Sequence, residues 1–131
     1  YSFSITNSDS HSLHVFESVI DLLSYMTLLK RSGRDYLKDN YLSIAGATII
    51  GKSIQDSTVP IALETFLNNH PSITNLYLHL DNDRAGKDTT LKIMYHYEDK
   101  YNIIDEHPTK CKDFNDLLKM KVRLKKYCLI K

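Results

Sequence analysis

The sequence has 131 residues, of which 42% are hydrophobic and 25% charged, a composition typical of one globular domain. The formal net charge of +1 excludes a histone-like polycation and an acidic tail protein. Two cysteines are too few for a disulfide scaffold or a thiolate zinc site, so we expect a reducing, cytoplasmic setting. No apolar run approaches the roughly 18 residues that span a bilayer, which predicts no membrane contact. Because the chain begins with Tyr1, we interpret residues 1–131 as a single domain cut from a longer protein.

Short apolar runs alternate with helical patterns along the chain. Ser18 can cap the first helix, Gly46 closes the second strand, and Pro60 suits the first turn of the next helix. The pattern predicts an α/β fold with a mostly parallel sheet of about four strands and helices on both faces. The predicted strands cover residues 13–16, 41–45, 76–80 and 101–104, with a possible last strand at 127–130; the predicted helices cover residues 18–29, 59–69, 85–97 and 113–120.

Acidic residues follow the predicted strands. Because the carboxyl ends of parallel strands meet at one edge of a sheet, we expect five carboxylates to gather there. Their mutual repulsion favours a hard cation that prefers oxygen ligands, namely Mg²⁺ or Mn²⁺. The predicted metal ligands are Glu17, Asp81, Asp83, Asp113 and Asp116.

The sharpest motif is the run from Asp81 to Gly86. Two carboxylates two residues apart on extended backbone point to the same side, so Asp81 and Asp83 can reach one metal ion or two adjacent ions. Gly86 at the start of a helix lets backbone or a phosphate approach closely. A structural interpretation, in which Asp83 caps the helix and Asp81 lies in a turn, stays open.

Two further acidic pairs are less specific. Glu17 and Asp21 are four residues apart and share a face if Glu17 begins the helix, although the helix dipole alone also favours Asp21 in the first turn. Asp113 can cap the last helix, with Asp116 one turn later. The six histidines show no close ligand spacing, and His79 in a buried strand is interpreted as a core residue.

Four motifs in order resemble the Toprim domain of bacterial primases, type IA and type II topoisomerases, OLD-family nucleases and recombination proteins. They are FESVIDLLS at 16–24, AGA at 45–47, LDNDRAG at 80–86 and KDFNDL at 112–117. The resemblance covers about residues 12–120 and looks closest to primase-related proteins of plasmids and mobile elements. It implies a Rossmann-like Toprim fold and Mg²⁺-dependent chemistry on nucleic-acid phosphodiesters.

The resemblance also assigns roles. Glu17 would be the general acid or base, Asp81 and Asp83 would hold Mg²⁺, and Asp113 and Asp116 would add negative potential or water-mediated metal contacts. Asp21, Gly46 and Gly86 would support the site. The candidates for binding phosphate or nucleic acid are Arg84, Lys87 and Lys112.

The basic residues are concentrated at the end of the chain. Residues 110–131 carry eight Lys or Arg and two Asp or Glu, whereas residues 1–109 carry nine and fourteen. The C-terminal segment, residues 119–131, therefore either forms a solvated edge or contacts nucleic acid.

The resemblance favours a primase-like nucleotidyltransferase whose partners are DNA or RNA, nucleotides, and zinc-binding, helicase or relaxase domains of a parent protein. An OLD-type nuclease and a non-catalytic module that binds DNA or a protein partner stay open. A phospho-accepting receiver domain is disfavoured because a single Glu17, rather than an acidic pair, follows the first predicted strand.

Overall fold

A computed structural model describes the backbone of residues 2–130 and the side chains of residues 2–124. Five strands and four helices alternate along most of the chain. In chain order they are β1 (Phe3–Ile5), β2 (Ser12–Phe16), α1 (Val19–Arg31), β3 (Asn40–Ser43), α2 (Ile61–Asn69), β4 (Asn75–Leu78), α3 (Arg84–Tyr97), β5 (Asn102–Asp105) and α4 (Phe114–Ile130).

The strands form one sheet in the order β1, β3, β2, β4, β5. The last four are mutually parallel, and β2 lies between β3 and β4, so that His14 pairs with Tyr41 on one side and Tyr77 on the other. The carboxyl ends of β2 and β4 are therefore adjacent. The predicted α/β fold with a mostly parallel sheet is confirmed.

Helices cover both faces because successive strand residues point in opposite directions. One face carries Leu13 and Val15 of β2, which pack in an aliphatic cluster with Leu63 of α2 and Ile93 of α3. The other face carries Phe16, which packs in a largely aromatic cluster with Leu22 of α1, Tyr41 of β3 and Phe114 of α4. Buried polar side chains occur on both sides of the sheet, with Thr89 and Lys92 of α3 on the first side and His14 and Asp21 on the second.

Two predictions are corrected at the ends of the chain. The possible strand at 127–130 is wrong, because α4 runs from Phe114 to Ile130. No Gly or Pro follows Pro108 to stop this helix, and it packs against α1. Conversely, β1 was missed because it has three residues and owes its conformation to antiparallel pairing with β3.

Among the residues that the structure describes, no helix combines the length and the apolar character needed to cross a membrane.

Candidate metal centre at the carboxyl edge of the sheet

Glu17 is held from two directions directly after β2. Its carboxylate Oε2 accepts a hydrogen bond from the backbone N–H of Asp81 at 2.6 Å. Its backbone carbonyl accepts one from Gly46 at 2.8 Å, and Gly46 has φ +119°, a conformation that L side chains rarely adopt. The glycine that closes β3 therefore shapes the loop that fixes Glu17.

Asp21 lies in the first turn of α1 and is 4% exposed. Ser18 caps the helix by accepting from the Asp21 N–H at 3.2 Å, and its hydroxyl donates to Asp21 Oδ2 at 2.9 Å. Asp21 Oδ1 accepts the backbone N–H of Asn115 at 3.1 Å. This last contact joins α1 to the start of α4, so the carboxylate has a structural role as well as a position at the sheet edge.

Gly86 lets the backbone of α3 approach Asp81. A Cβ atom at position 86 would lie 2.1 Å from the Asp81 carbonyl oxygen and 2.9 Å from the Asp81 nitrogen. Backbone atoms cannot yield at such distances, so glycine is required here. The close approach that the motif predicted is therefore one between backbone segments.

Asp83 and Asp113 begin the two helices that meet at this edge. Asp83 Oδ1 accepts the N–H of Gly86 at 2.8 Å, and Asp113 Oδ1 accepts the N–H of Asp116 at 2.8 Å. The two loops are joined by a 2.6 Å hydrogen bond from Asn82 N–H to the Lys112 carbonyl, and the Lys112 ammonium lies 3.8 Å from Asp83 Oδ2. These contacts bring the start of α4 beside the loop that follows β4.

Three carboxylates converge where these elements meet. Asp21, Asp81 and Asp113 each offer an oxygen, and these oxygens all lie within 4.8 Å of one another. Together with Glu17, whose carboxylate contacts the Asp81 backbone, we name this group the acidic centre. Of the other predicted ligands, Asp83 uses one oxygen as a helix cap, and Asp116 is exposed.

The carboxylates of the acidic centre repel one another in a partly dehydrated setting. Burial and, next to it, the negative charges of Glu17 and Asp21 together raise the pKa of Asp81 to about 8. Burial also raises the pKa values of Glu17 and Asp21. A bound cation would remove this repulsion, and a set made entirely of carboxylate oxygens suits Mg²⁺ or Mn²⁺.

The predicted phosphate-binding residues are all exposed and lie at the start of α3 or just before α4. Arg84 has a side chain that is 77% exposed, with its Nε 3.9 Å from Asp88 Oδ2. Lys87 is exposed and lines a cavity of about 230 Å³ together with Asp81 and His107. Lys112 is exposed and faces Asp83.

Sequence reasoning missed a basic residue on the other side of α3. Lys92 is 5% exposed and donates a hydrogen bond to the Thr48 hydroxyl. Both residues line a cavity of about 190 Å³ that also includes Gly46 and Pro60 at the start of α2. Lys92 could not be singled out from the sequence, because a single lysine in an amphipathic helix ordinarily faces solvent.

The comparison with protein families gives the class of the protein. The model of the Toprim-like family matches residues 14–118, which span β2 to the start of α4 and include every member of the acidic centre. The chain therefore belongs to the Toprim-like family. Among curated proteins and solved structures, none matches the sequence significantly.

Toprim domains generally bind Mg²⁺ through acidic residues and act on nucleic acids. The carboxylates gathered at the end of β2 and β4 provide the donor atoms for such an ion. The family and the geometry thus indicate the same class of site.

Proposed function

We propose that the domain catalyses primase-like nucleotidyl transfer that depends on Mg²⁺ or Mn²⁺. The biological setting we propose is DNA replication or the mobilisation of a plasmid or mobile element, in the cytoplasm. The observation that carries the proposal is the convergence of Asp21, Asp81 and Asp113 beside Glu17 in a Toprim-like domain.

The carboxylates divide into two roles in this proposal. Asp21, Asp81 and Asp113 hold the cation, with Asp83 and Asp116 adding negative potential from the starts of α3 and α4. The cation, when bound, stabilises the charge that develops on the transferring phosphoryl group. This division follows the distances, since one oxygen each of Asp21, Asp81 and Asp113 lies within 4.8 Å of the others.

Glu17 is the proposed general acid or base. Its raised pKa brings its protonation equilibrium closer to the working pH, as proton transfer requires. The hydrogen bond from the Asp81 N–H orients one carboxylate oxygen, and the carboxylate takes the proton of the attacking hydroxyl of a growing strand.

Basic residues on both sides of α3 are proposed to position phosphates. Arg84, Lys87 and Lys112 face solvent beside the acidic centre, where a polynucleotide backbone could lie. Lys92, which lines the cavity next to Gly46, would contact a phosphate group of an incoming nucleotide. Such contacts would offset the repulsion between the acidic centre and an anionic substrate.

The test is primer synthesis by the full-length gene product that carries this chain, on single-stranded template with Mg²⁺ and nucleotide triphosphates. We expect Glu17→Gln and Asp81→Asn to reduce synthesis by at least about 100-fold, because the first removes the proposed proton acceptor and the second removes a proposed cation ligand. Asp99→Asn, at an exposed position after α3, is the matched control and should keep full activity.

The same assay separates the proposal from its alternatives. Metal-dependent nicking without nucleotide triphosphates would indicate an OLD-type nuclease instead. Full activity in both the Glu17→Gln and Asp81→Asn proteins would contradict a catalytic role for the acidic centre and favour a module that binds DNA or a protein partner.

A further inference from the structure

A second group of potential metal ligands lies on the opposite face of the sheet from α2 and α3. His14 of β2 and His79, just after β4, are 7% and 1% exposed, and His14 Nδ1 lies 2.7 Å from His79 Nε2. Glu106 Oε1 lies 3.7 Å from the same His79 nitrogen. Asp39 contacts the far side of His14. We name His14, His79, Glu106 and Asp39 the histidine cluster.

The far nitrogen of each ring is already committed to an acceptor. His14 Nε2 lies 2.9 Å from Asp39 Oδ2, and His79 Nδ1 lies 3.3 Å from the Glu106 backbone carbonyl. Carboxylate and carbonyl oxygens accept hydrogen bonds, so each of these contacts requires an N–H on the ring. The tautomers that satisfy both contacts leave lone pairs on His14 Nδ1 and His79 Nε2.

Those two lone pairs face each other across 2.7 Å. Two neutral imidazoles supply two N–H groups in total, whereas the three contacts of the pair require three. The arrangement therefore favours a positive charge between the rings, supplied either by an additional proton or by a metal ion. Glu106 Oε1, 3.7 Å from His79 Nε2, lies close enough to balance either charge.

The contacts behind the rings match those of protein metal sites. Metal-bound histidines almost always donate their other N–H to a carboxylate or a backbone carbonyl, which are the partners of His14 and His79 here. One oxygen of Glu106 and the facing nitrogens of both rings lie within 4.8 Å of one another. Two imidazoles and one carboxylate form a ligand set suited to Zn²⁺ or a similar transition metal.

We propose that His14, His79 and Glu106 form a Zn²⁺-class transition-metal site between the sheet and α1. Zn–N bonds of about 2.0–2.1 Å in tetrahedral geometry separate the two nitrogens by about 3.3 Å, so binding requires the rings to part by roughly 0.6 Å. The side chain of Glu106 is 45% exposed and provides the route by which the ion enters. The carboxylates of Glu106 and Asp39 balance its two charges.

The test uses Zn²⁺ and the chain carrying Asp81→Asn, so that binding at the acidic centre does not contribute. Competition with a chromophoric chelator should give one bound Zn²⁺ per chain, and side-chain ¹⁵N spectra should show shifts of His14 Nδ1 and His79 Nε2. Asp39→Asn should weaken binding by about 10- to 100-fold, the usual effect of removing a carboxylate behind a ligand. Glu106→Gln should weaken it by at least about 10-fold, because an amide is a poor replacement for a ligating carboxylate.

Glu98→Gln is the matched control, since the Glu98 side chain is exposed. Its backbone N–H donates to the Met94 carbonyl at the end of α3, a hydrogen bond that the substitution keeps. Glu106 is tied to β4 by its backbone N–H, which donates to Leu78, so its Gln variant should fold. Equal affinity in the Glu106→Gln and Glu98→Gln chains would overturn the proposal. The proposal would also be wrong if Zn²⁺ did not bind, or if it bound without shifting the ¹⁵N signals of His14 Nδ1 and His79 Nε2. Either result would indicate a histidine pair that shares a proton instead.

Discussion

The acidic centre and the histidine cluster are built on the same two neighbouring strands yet differ in almost every physical respect. Glu17 and Asp81 lie beyond the ends of β2 and β4, whereas His14 and His79 come two or three residues earlier, among buried aromatic rings. The acidic centre offers oxygen atoms at a partly exposed edge, and the cluster offers two nitrogens in the interior. A displacement of two or three residues along the chain thus exchanges oxygen donors, which suit hard cations, for nitrogen donors, which suit softer ones.

The two regions are also held together differently. The acidic centre depends on helix caps and loop hydrogen bonds, such as Asn82 to Lys112 and Asn115 to Asp21. The histidines are fixed by the register of β2 against β4 and by stacking of His14 between Tyr41 and Tyr77, with ring centroids 5.1 and 4.9 Å away. Damage to the loops should therefore disrupt the first region before the second.

Gly86→Ala should give the largest effect, because its methyl group collides with the backbone of Asp81. We expect a loss of about 3 kcal/mol in the free energy of unfolding, measured by urea denaturation. Gly51→Ala is the control, since nothing lies within 4 Å of the added Cβ, and it should change stability by less than about 0.5 kcal/mol. Equal effects of the two substitutions would show that α3 does not need this close approach.

The pH dependence of stability distinguishes the two regions more finely. The pKa of Asp81 is about 8 in the folded chain and 3.8 as a free side chain, so the folded protein holds a proton that the unfolded chain has released. Its contribution to stability is lost as the pH rises toward and through 8. Burial lowers the pKa values of His14 and His79 below 6.5, which makes their contribution rise with pH in the acidic range.

We therefore expect the metal-free chain to lose stability between pH 7 and pH 9, a range above the lowered pKa values of His14 and His79. Asp81→Asn should flatten this decline, because an amide carries no charge to repel Glu17 and Asp21. Thermal unfolding at pH 5, 7 and 9, with Asp99→Asn as the control, measures the difference. A wild-type melting temperature that stays constant from pH 7 to pH 9 would contradict the proposed repulsion.

Local rules predicted much of the fold from the sequence. Ser18, Asp83 and Asp113 all cap helices as their positions indicated, and the alternation of strands and helices gave the parallel sheet. The acidic edge followed from the geometry of such sheets. What the sequence lacked was contact information between distant segments, which local patterns do not carry.

Two features of the sites depend on such contacts. Asp21 lies beside Asp81 and Asp113 because α4 packs on α1. The hydrogen bond between Asp21 and Asn115 links residues that are 94 positions apart in the chain. The histidine pair depends on the alignment of β2 with β4, which brings together residues 65 positions apart. His79 is buried as predicted, but its partner could not be identified from spacing alone.

The most direct test of the acidic centre is an NMR titration with Mg²⁺, comparing Asp81→Asn with Asp83→Asn. Both variants replace one carboxyl group by an amide, and Asn can still cap α3 at position 83. We predict that the wild-type chain and Asp83→Asn show saturable shifts of the amides near Asp21, Asp81 and Asp113 at millimolar Mg²⁺, and that Asp81→Asn loses them. The absence of saturable shifts in the wild-type chain, or equal losses in the two variants, would contradict the proposal that Asp21, Asp81 and Asp113 hold the metal.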